Sequence, residues 1–150
     1  MDELIQKILA NISKILNQTS LTESFFDMVL RRLVSFNYQL KEDDSWSIAF
    51  AIQKVEWHIK NYCNITSVPI GLYEIATDKV CGEFLQTKLQ TGQLDIAELD
   101  LSGAVKSIQE GDTTVQFESG TSDTDKIQLL ISGLINGNEG DLVCYKRLKW

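Results

Sequence analysis

His58 is the one residue of the chain whose side chain ordinarily titrates near neutral pH, so general acid–base chemistry has a single starting point. A catalytic imidazole needs a carboxylate to orient it and a nucleophile or substrate within reach. On a helix, the neighbours four residues to either side of His58 are Lys54 and Tyr62, and neither supplies that part. His58 therefore reads as a residue flanking an apolar stripe. Cys63, Cys81 and Cys144 are far apart, with no C-x-x-C and no Cys/His zinc spacing, and an odd count fits free thiols in a reducing compartment. All three read as small hydrophobes. Asp123-Thr124-Asp125 invites a calcium reading, but the twelve-residue loop with its central glycine and final glutamate is missing, and helix capping explains it better. The sequence holds no G-x-x-x-x-G-K-[ST], no G-x-G-x-x-G and no G-x-S-x-G, so phosphate-cradling loops and a nucleophile elbow have no candidate. The expectation is a protein that is not an enzyme and carries no cofactor. Carboxylates brought together only by folding are the remaining route to a metal.

Binding is the better prospect. Arg31-Arg32 and the terminal Tyr145-Lys146-Arg147-Leu148-Lys149-Trp150 are the two basic clusters, the second interleaved with aromatic rings. Such an arm could follow a nucleic-acid backbone by stacking, dock on an acidic and partly apolar protein surface, or simply be solvated. Fourteen Lys and Arg against twenty-one Asp and Glu give a net charge of −7, which disfavours wrapping DNA and points the arm at a protein. The charge is concentrated. Between residues 91 and 125 lie eight acids (Asp95, Glu98, Asp100, Glu110, Asp112, Glu118, Asp123, Asp125) and one base, Lys106, which equals the net charge of the whole chain.

Elements to position these groups follow from apolar spacing. At 150 residues, 43% hydrophobic, with one proline and nine glycines, the chain has material for one core and should fold as a single domain. Ile5, Ile8, Leu9, Ile12, Ile15 and Leu16 form one stripe of a first helix near 2–17. Ser20-Leu21-Thr22-Glu23 has capping-box spacing and predicts a second helix near 21–36 with Phe25, Phe26, Val29, Leu30, Leu33 and Val34 inward. Asp43 or Asp44 can cap a third helix running to about Tyr62. Its stripe of Ile48, Ile52, Val55, Ile59 and Tyr62 is opposed by Trp46, Phe50 and Trp57 on the other face. Either this helix is central and packed on both sides, or the aromatic face is offered to another subunit. A fourth helix is predicted from Ile70 to about Gln90, after Pro69, with Gly82 allowing a close neighbour or weakening it. Val105–Ile108 and Thr113–Phe117 around Glu110-Gly111-Asp112 suggest a short hairpin within an acidic loop at about 91–122. Asp123 or Asp125 caps a last helix closed by Asn136-Gly137, and residues 141–150 form an extended tail on a body of 1–140. The predicted class is mainly α, a small bundle of four to five helices. The first residues, Met1-Asp2-Glu3-Leu4, lack the basic region of a signal peptide, and no apolar run is long enough to span a bilayer, so a cytosolic protein or one released by lysis is expected, without membrane contact.

Three segments taken in order, Asn61 to Ile65 before a proline and a helix, Val105 to Phe117, and Tyr145 to Trp150, resemble the head-tail connector (head-completion, or adaptor) proteins of tailed bacteriophages and prophages. The match runs from about residue 45 to the end, and the helix near 2–17 is additional to the usual family core. The resemblance implies a mainly helical virion protein that forms a ring, usually of twelve subunits, beneath the portal protein, extends the DNA channel and meets the next connector, stopper or tail protein. The free subunit is then expected to be monomeric, since arms that order on assembly lose their entropy only on docking. It makes Tyr145, Lys146, Arg147, Leu148, Lys149 and Trp150 a candidate portal-binding arm. Glu110, Gly111, Asp112 and Thr113, with Trp46, Phe50 and Trp57, become candidates for subunit or channel contact. Acidic walls would let DNA pass without specific binding. The rival expectation is a small helical regulatory module acting through its C-terminal tail.

Overall fold

A computed structural model describes residues 2–100, 123–137, 139–143, 145 and 146. Among these the regular structure is helical throughout: α1 (Asp2–Ile15), α2 (Glu23–Ser35), α3 (Asp44–Cys63), α4 (Tyr73–Gln90), α5 (Asp123–Asn136) and the short α6 (Glu139–Val143), with 3-10 turns at Ile70–Leu72 and Ile96–Glu98. The expected hairpin, including Glu110, Gly111, Asp112 and Thr113, lies outside the described residues, as do Cys144 and Arg147, Leu148, Lys149 and Trp150.

The first two helices follow their stripes. Ile5, Ile8, Leu9 and Ile12 of α1 and Phe25, Phe26, Val29, Leu30 and Leu33 of α2 are buried against one another. The capping box is not what starts α2. Thr22 is the N-cap, its hydroxyl accepting from the Phe25 amide at 3.4 Å, because Ser20 is drawn away to a carboxylate on α3. Asn64 ends α3 in the left-handed region (φ 54°), a conformation asparagine tolerates, and the amides of Asn64 and Ile65 both turn back to the Lys60 carbonyl. Pro69 then adopts its natural extended conformation and leads into the 3-10 turn before α4.

The helix covered on nearly every side is α4; α3 also meets several helices but keeps one face outward. Helix α4 lies against α2, α3 and α5, while α1 packs on α2 and α3. Ala76, Thr77, Lys79, Val80, Cys81, Gly82, Phe84, Leu85 and Lys88 are all buried, so its inward residues point in every direction instead of along one stripe. The α3 face carrying Trp46, Phe50 and Trp57 is outward, so this helix is not packed on both sides within the chain. Gly82 marks the α4–α5 crossing: a Cβ there would stand 2.7 Å from Cγ1 of Ile135 and 3.0 Å from Cβ of Leu134. At the end of α5, the buried Lys79 ammonium donates to the Ile135 carbonyl at 2.5 Å, satisfying a backbone acceptor the helix itself leaves open.

The body extends past the expected boundary at Gly140. Leu142 is fully buried, its carbonyl accepts from the Cys63 thiol at 3.3 Å, and α6 packs on α3. Residues 141–143 are thus helical, and Leu142 alone among them joins the core, because its side chain finds the gap beside the end of α3 while Asp141 and Val143 stay exposed.

Candidate interaction surfaces

The outward face of α3 is held in place by two buried carboxylates that the spacing of the sequence does not reveal. Asp44, fully buried, anchors the start of the helix. Its Oδ2 accepts from the Tyr38 hydroxyl and the Lys41 amide, both at 3.0 Å, and its Oδ1 lies 2.8 Å from the Lys88 ammonium at the end of α4. Burial, reinforced by the Asp44 charge, pushes the Tyr38 phenol well above its ordinary range. Asp43, the residue at the N-cap, makes no side-chain cap, so the acid that serves the helix start does so by pinning the preceding turn.

Glu56 performs the same service in mid-helix. Its carboxylate accepts from the Thr19 hydroxyl (2.7 Å), the Ser20 hydroxyl (2.7 Å) and the Ser20 amide (3.1 Å), with the Lys60 ammonium 3.2 Å away. Burial alone would raise its pKa, yet the hydrogen bonds from Ser20 and Thr19, together with Lys60, outweigh it and hold the carboxyl below its ordinary value. The sign follows. A depressed folded pKa contributes stability above the unfolded glutamate range, about 4.3, and that contribution is lost as pH falls through the folded value. Glu56→Gln should therefore lose about 2 kcal/mol at pH 7, since an amide has one acceptor oxygen where the carboxylate uses two, and its NH2 would face a donor. Urea midpoints for the two proteins should converge towards pH 3.

On the outward face of the helix these anchors fix stand Trp46, Phe50 and Trp57, each more than half exposed. The Trp46 and Phe50 rings are 5.6 Å apart, tilted by 41°, and the Lys60 ammonium sits 4.9 Å from the Trp57 ring centre. Exposed single hydrophobics are ordinary, but three large aromatic side chains on one side of one helix, two of them in ring contact, are more apolar surface than single exposures explain and point to contact with another molecule. Since the core is filled without them, Trp57→Ala should change the unfolding free energy by less than about 1 kcal/mol, against the 3–5 typical of a buried aromatic. Chemical denaturation of the variant measures this directly.

The C-terminal arm is only partly an arm. The Tyr145 amide donates to the Leu142 carbonyl at 3.1 Å and its hydroxyl fills the space that a Cβ on Gly71 would need. The Lys146 ammonium rests 5.1 Å from the Tyr62 ring centre. These two residues belong to the root of the segment, and Ile70 and Val143 beside it are exposed.

Arg31-Arg32, the other basic cluster, faces a groove of about 580 Å³ between α2 and α4. It offers no anion cradle, for the groove carries its own acids. Arg32 Nε is 3.0 Å from Asp78 and its guanidinium 4.8 Å from the Phe36 ring centre, while Arg31 lies near Asp27 and Asp2. Burial raises the Asp78 carboxyl despite Arg32. His58 stacks with Tyr62 at 6.0 Å between ring centres, a flanking position as expected. Cys63 and Cys81 are buried free thiols, and burial pushes the Cys81 thiol far up. Among the described residues no group of three or more His, Cys, Asp or Glu side chains could hold a metal, and no helix is long and apolar enough to cross a membrane. No protein family, curated protein or solved structure matches this chain.

Proposed function

We propose that the protein is a structural assembly protein, a ring-forming adaptor between the portal and the tail or next connector protein of a tailed bacteriophage, extending the channel through which DNA passes. The observation that carries this reading is the outward line of Trp46, Phe50 and Trp57 on a helix whose other face is fixed by Asp44 and Glu56. A rigid helix with a prepared apolar face suits repeated contact between subunits. The resemblance of residues 61–65, 105–117 and 145–150 to connector proteins supplies the setting, and the concentration of acid between residues 91 and 125 suits a wall that repels phosphates.

The test is capture from a lysate of the phage-producing host on protein tagged at its N-terminus, beside a version ending at Lys146. That end point leaves Leu142 in the core and Tyr145 on Gly71, so it removes only Arg147, Leu148, Lys149 and Trp150. Recovery of a portal protein by the full chain, and its loss with the shortened one, is the expected result. Recovery of one stoichiometric partner that is not a virion protein would overturn the reading in favour of a regulatory module.

A further inference from the structure

The C-terminal segment is delivered to the mouth of the groove between α2 and α4. The Tyr145 hydroxyl lies where a Cβ on Gly71 would stand, and the Lys146 amide is tied to the Val143 carbonyl at 3.1 Å. Gly71 belongs to the 3-10 turn that runs into α4 and precedes Glu74 by three residues and Asp78 by seven, the spacing that keeps helical positions on one side. Glu74 and Asp78 form one wall of the groove. Residues 147–150, extended, reach up to about 13 Å beyond Lys146. The wall from Gly71 to Asp78 is about 10.5 Å long at the rise of a helix, so the segment can follow it.

The groove is short of positive charge. Arg32 is paired with Asp78 and Arg31 is shared between Asp27 and Asp2, whereas Glu74 is exposed and has no ion pair among the described residues. Four acids thus stand around two arginines, an excess of two negative charges. Asp78 registers the deficit, since burial, with the Glu74 charge adding to it, raises its carboxyl despite Arg32. The opposite wall, on α2, carries the half-buried Met28 and the exposed Arg31. We infer that Arg147-Leu148-Lys149-Trp150 of the same chain lies along this groove in the free protein, with Arg147 and Lys149 on Glu74 and Asp78 and with Trp150 against Met28 and Arg31.

Spacing and chemistry favour this occupant. In an extended segment alternate side chains share a face, which sets Arg147 and Lys149 about 6.6 Å apart against about 6 Å between Glu74 and Asp78. Leu148 and Trp150 then turn to α2, where a methionine moulds itself to apolar groups and a guanidinium stacks on an indole. Their two cations match the two missing charges. The groove, about 580 Å³, falls within the size of sites that hold a small organic molecule, so an indole fits. Tethering decides between this chain and a second copy, because a segment held at the mouth acts at an effective concentration on the order of millimolar. Stowed there, the arm is withheld from other acidic surfaces until one of them binds it better. This inference concerns the arm before any partner arrives and does not depend on which partner that is.

Trp46→Phe/Trp57→Phe leaves Trp150 as the sole tryptophan, and acrylamide quenching then reads its accessibility. Glu74→Arg should raise the quenching constant at least about twofold, the scale on which the loss of exposed ion pairs moves an equilibrium. Gly71→Ala should act in the same direction by pushing Tyr145 from its seat. Both positions are exposed, so circular dichroism should not change. Adding Arg147→Glu to Glu74→Arg should restore the protection, which a merely structural role for Glu74 would not do. The protection should also be constant over roughly 1–100 μM protein, far below the effective concentration of a tethered segment. Quenching that is the same with and without Glu74→Arg would overturn the inference, as would failure of Arg147→Glu to restore protection. Protection that grows with protein concentration would overturn it in favour of a second copy's segment. Failure to capture a portal would bring down the adaptor proposal and leave this inference standing.

Discussion

Lys88→Met is expected to lose about 3–5 kcal/mol of unfolding free energy, the usual penalty for stripping the partner from a buried charge. Asp44 has no exposed surface and Lys88 almost none, and 2.8 Å separates the carboxylate oxygen from the ammonium. The ammonium also donates to Gln93 Oε1 at 3.2 Å and lies over the Phe84 ring, so one side chain joins the start of α3, the end of α4 and the turn that follows. Methionine matches the length of the lysine stem but leaves the Asp44 carboxylate facing apolar groups. Urea unfolding measures the loss. The double variant Asp44→Asn/Lys88→Met should recover much of it, because a neutral amide oxygen still accepts from Tyr38 and Lys41 and no charge is stranded. Equal losses in the single and double variants would mean that packing, not charge, fixes this corner.

Gly82→Val should cost about 3 kcal/mol and act on one helix in particular. A glycine inside a helix is ordinarily about 1 kcal/mol worse than alanine, so its presence calls for a compensating contact. The contact is α5 itself. Besides Ile135 and Leu134, the Ile131 carbonyl would lie 3.3 Å from an added Cβ, and backbone does not step aside as a side chain can. A branched residue at position 82 forces α5 outward, exposing Ile127, Leu130, Ile131 and Leu134 and pulling the Ile135 carbonyl from Lys79. Native-state hydrogen exchange should show amides of α5 losing protection first while those of α2 keep theirs. Uniform loss of protection would show that α5 unfolds only with the whole body. Gly82→Ala should have a smaller effect of the same sign, partly offset by the better helix propensity.

Legibility in the sequence divides along a physical line. The helices α1 and α2, and the inward face of α3, lie at the edge of the bundle, so each has a wet side and a dry side and the apolar spacing betrays it. The Trp46, Phe50 and Trp57 face was visible for the same reason, although spacing alone could not say whether it met the core or solvent. The central role of α4 was hidden because a helix covered on several sides has no stripe to read, and two of its buried residues are lysines. The polar anchors were hidden by distance. Asp44 and Lys88 are joined only by folding, and so are Glu56 and Ser20, which is why Ser20 looked like part of a capping box. Leu142 shows the converse error: a single buried leucine carries no periodicity, and its neighbours Asp141, Lys146 and Tyr145 make a tail the natural reading.

The placement of Trp46 and Trp57 also settles what light would report. Two of the three tryptophans of the chain sit outside the core on one helix face, in water, where an indole emits at long wavelength. Both are already more than half exposed, so unfolding changes their surroundings less than it would those of a core indole, and their emission maximum is a weak gauge of folding. Covering that face with protein would shift the emission to the blue. The molecule thus carries an intrinsic optical probe of association, readable on dilution without any label, and largely blind to the stability changes that the buried carboxylates control.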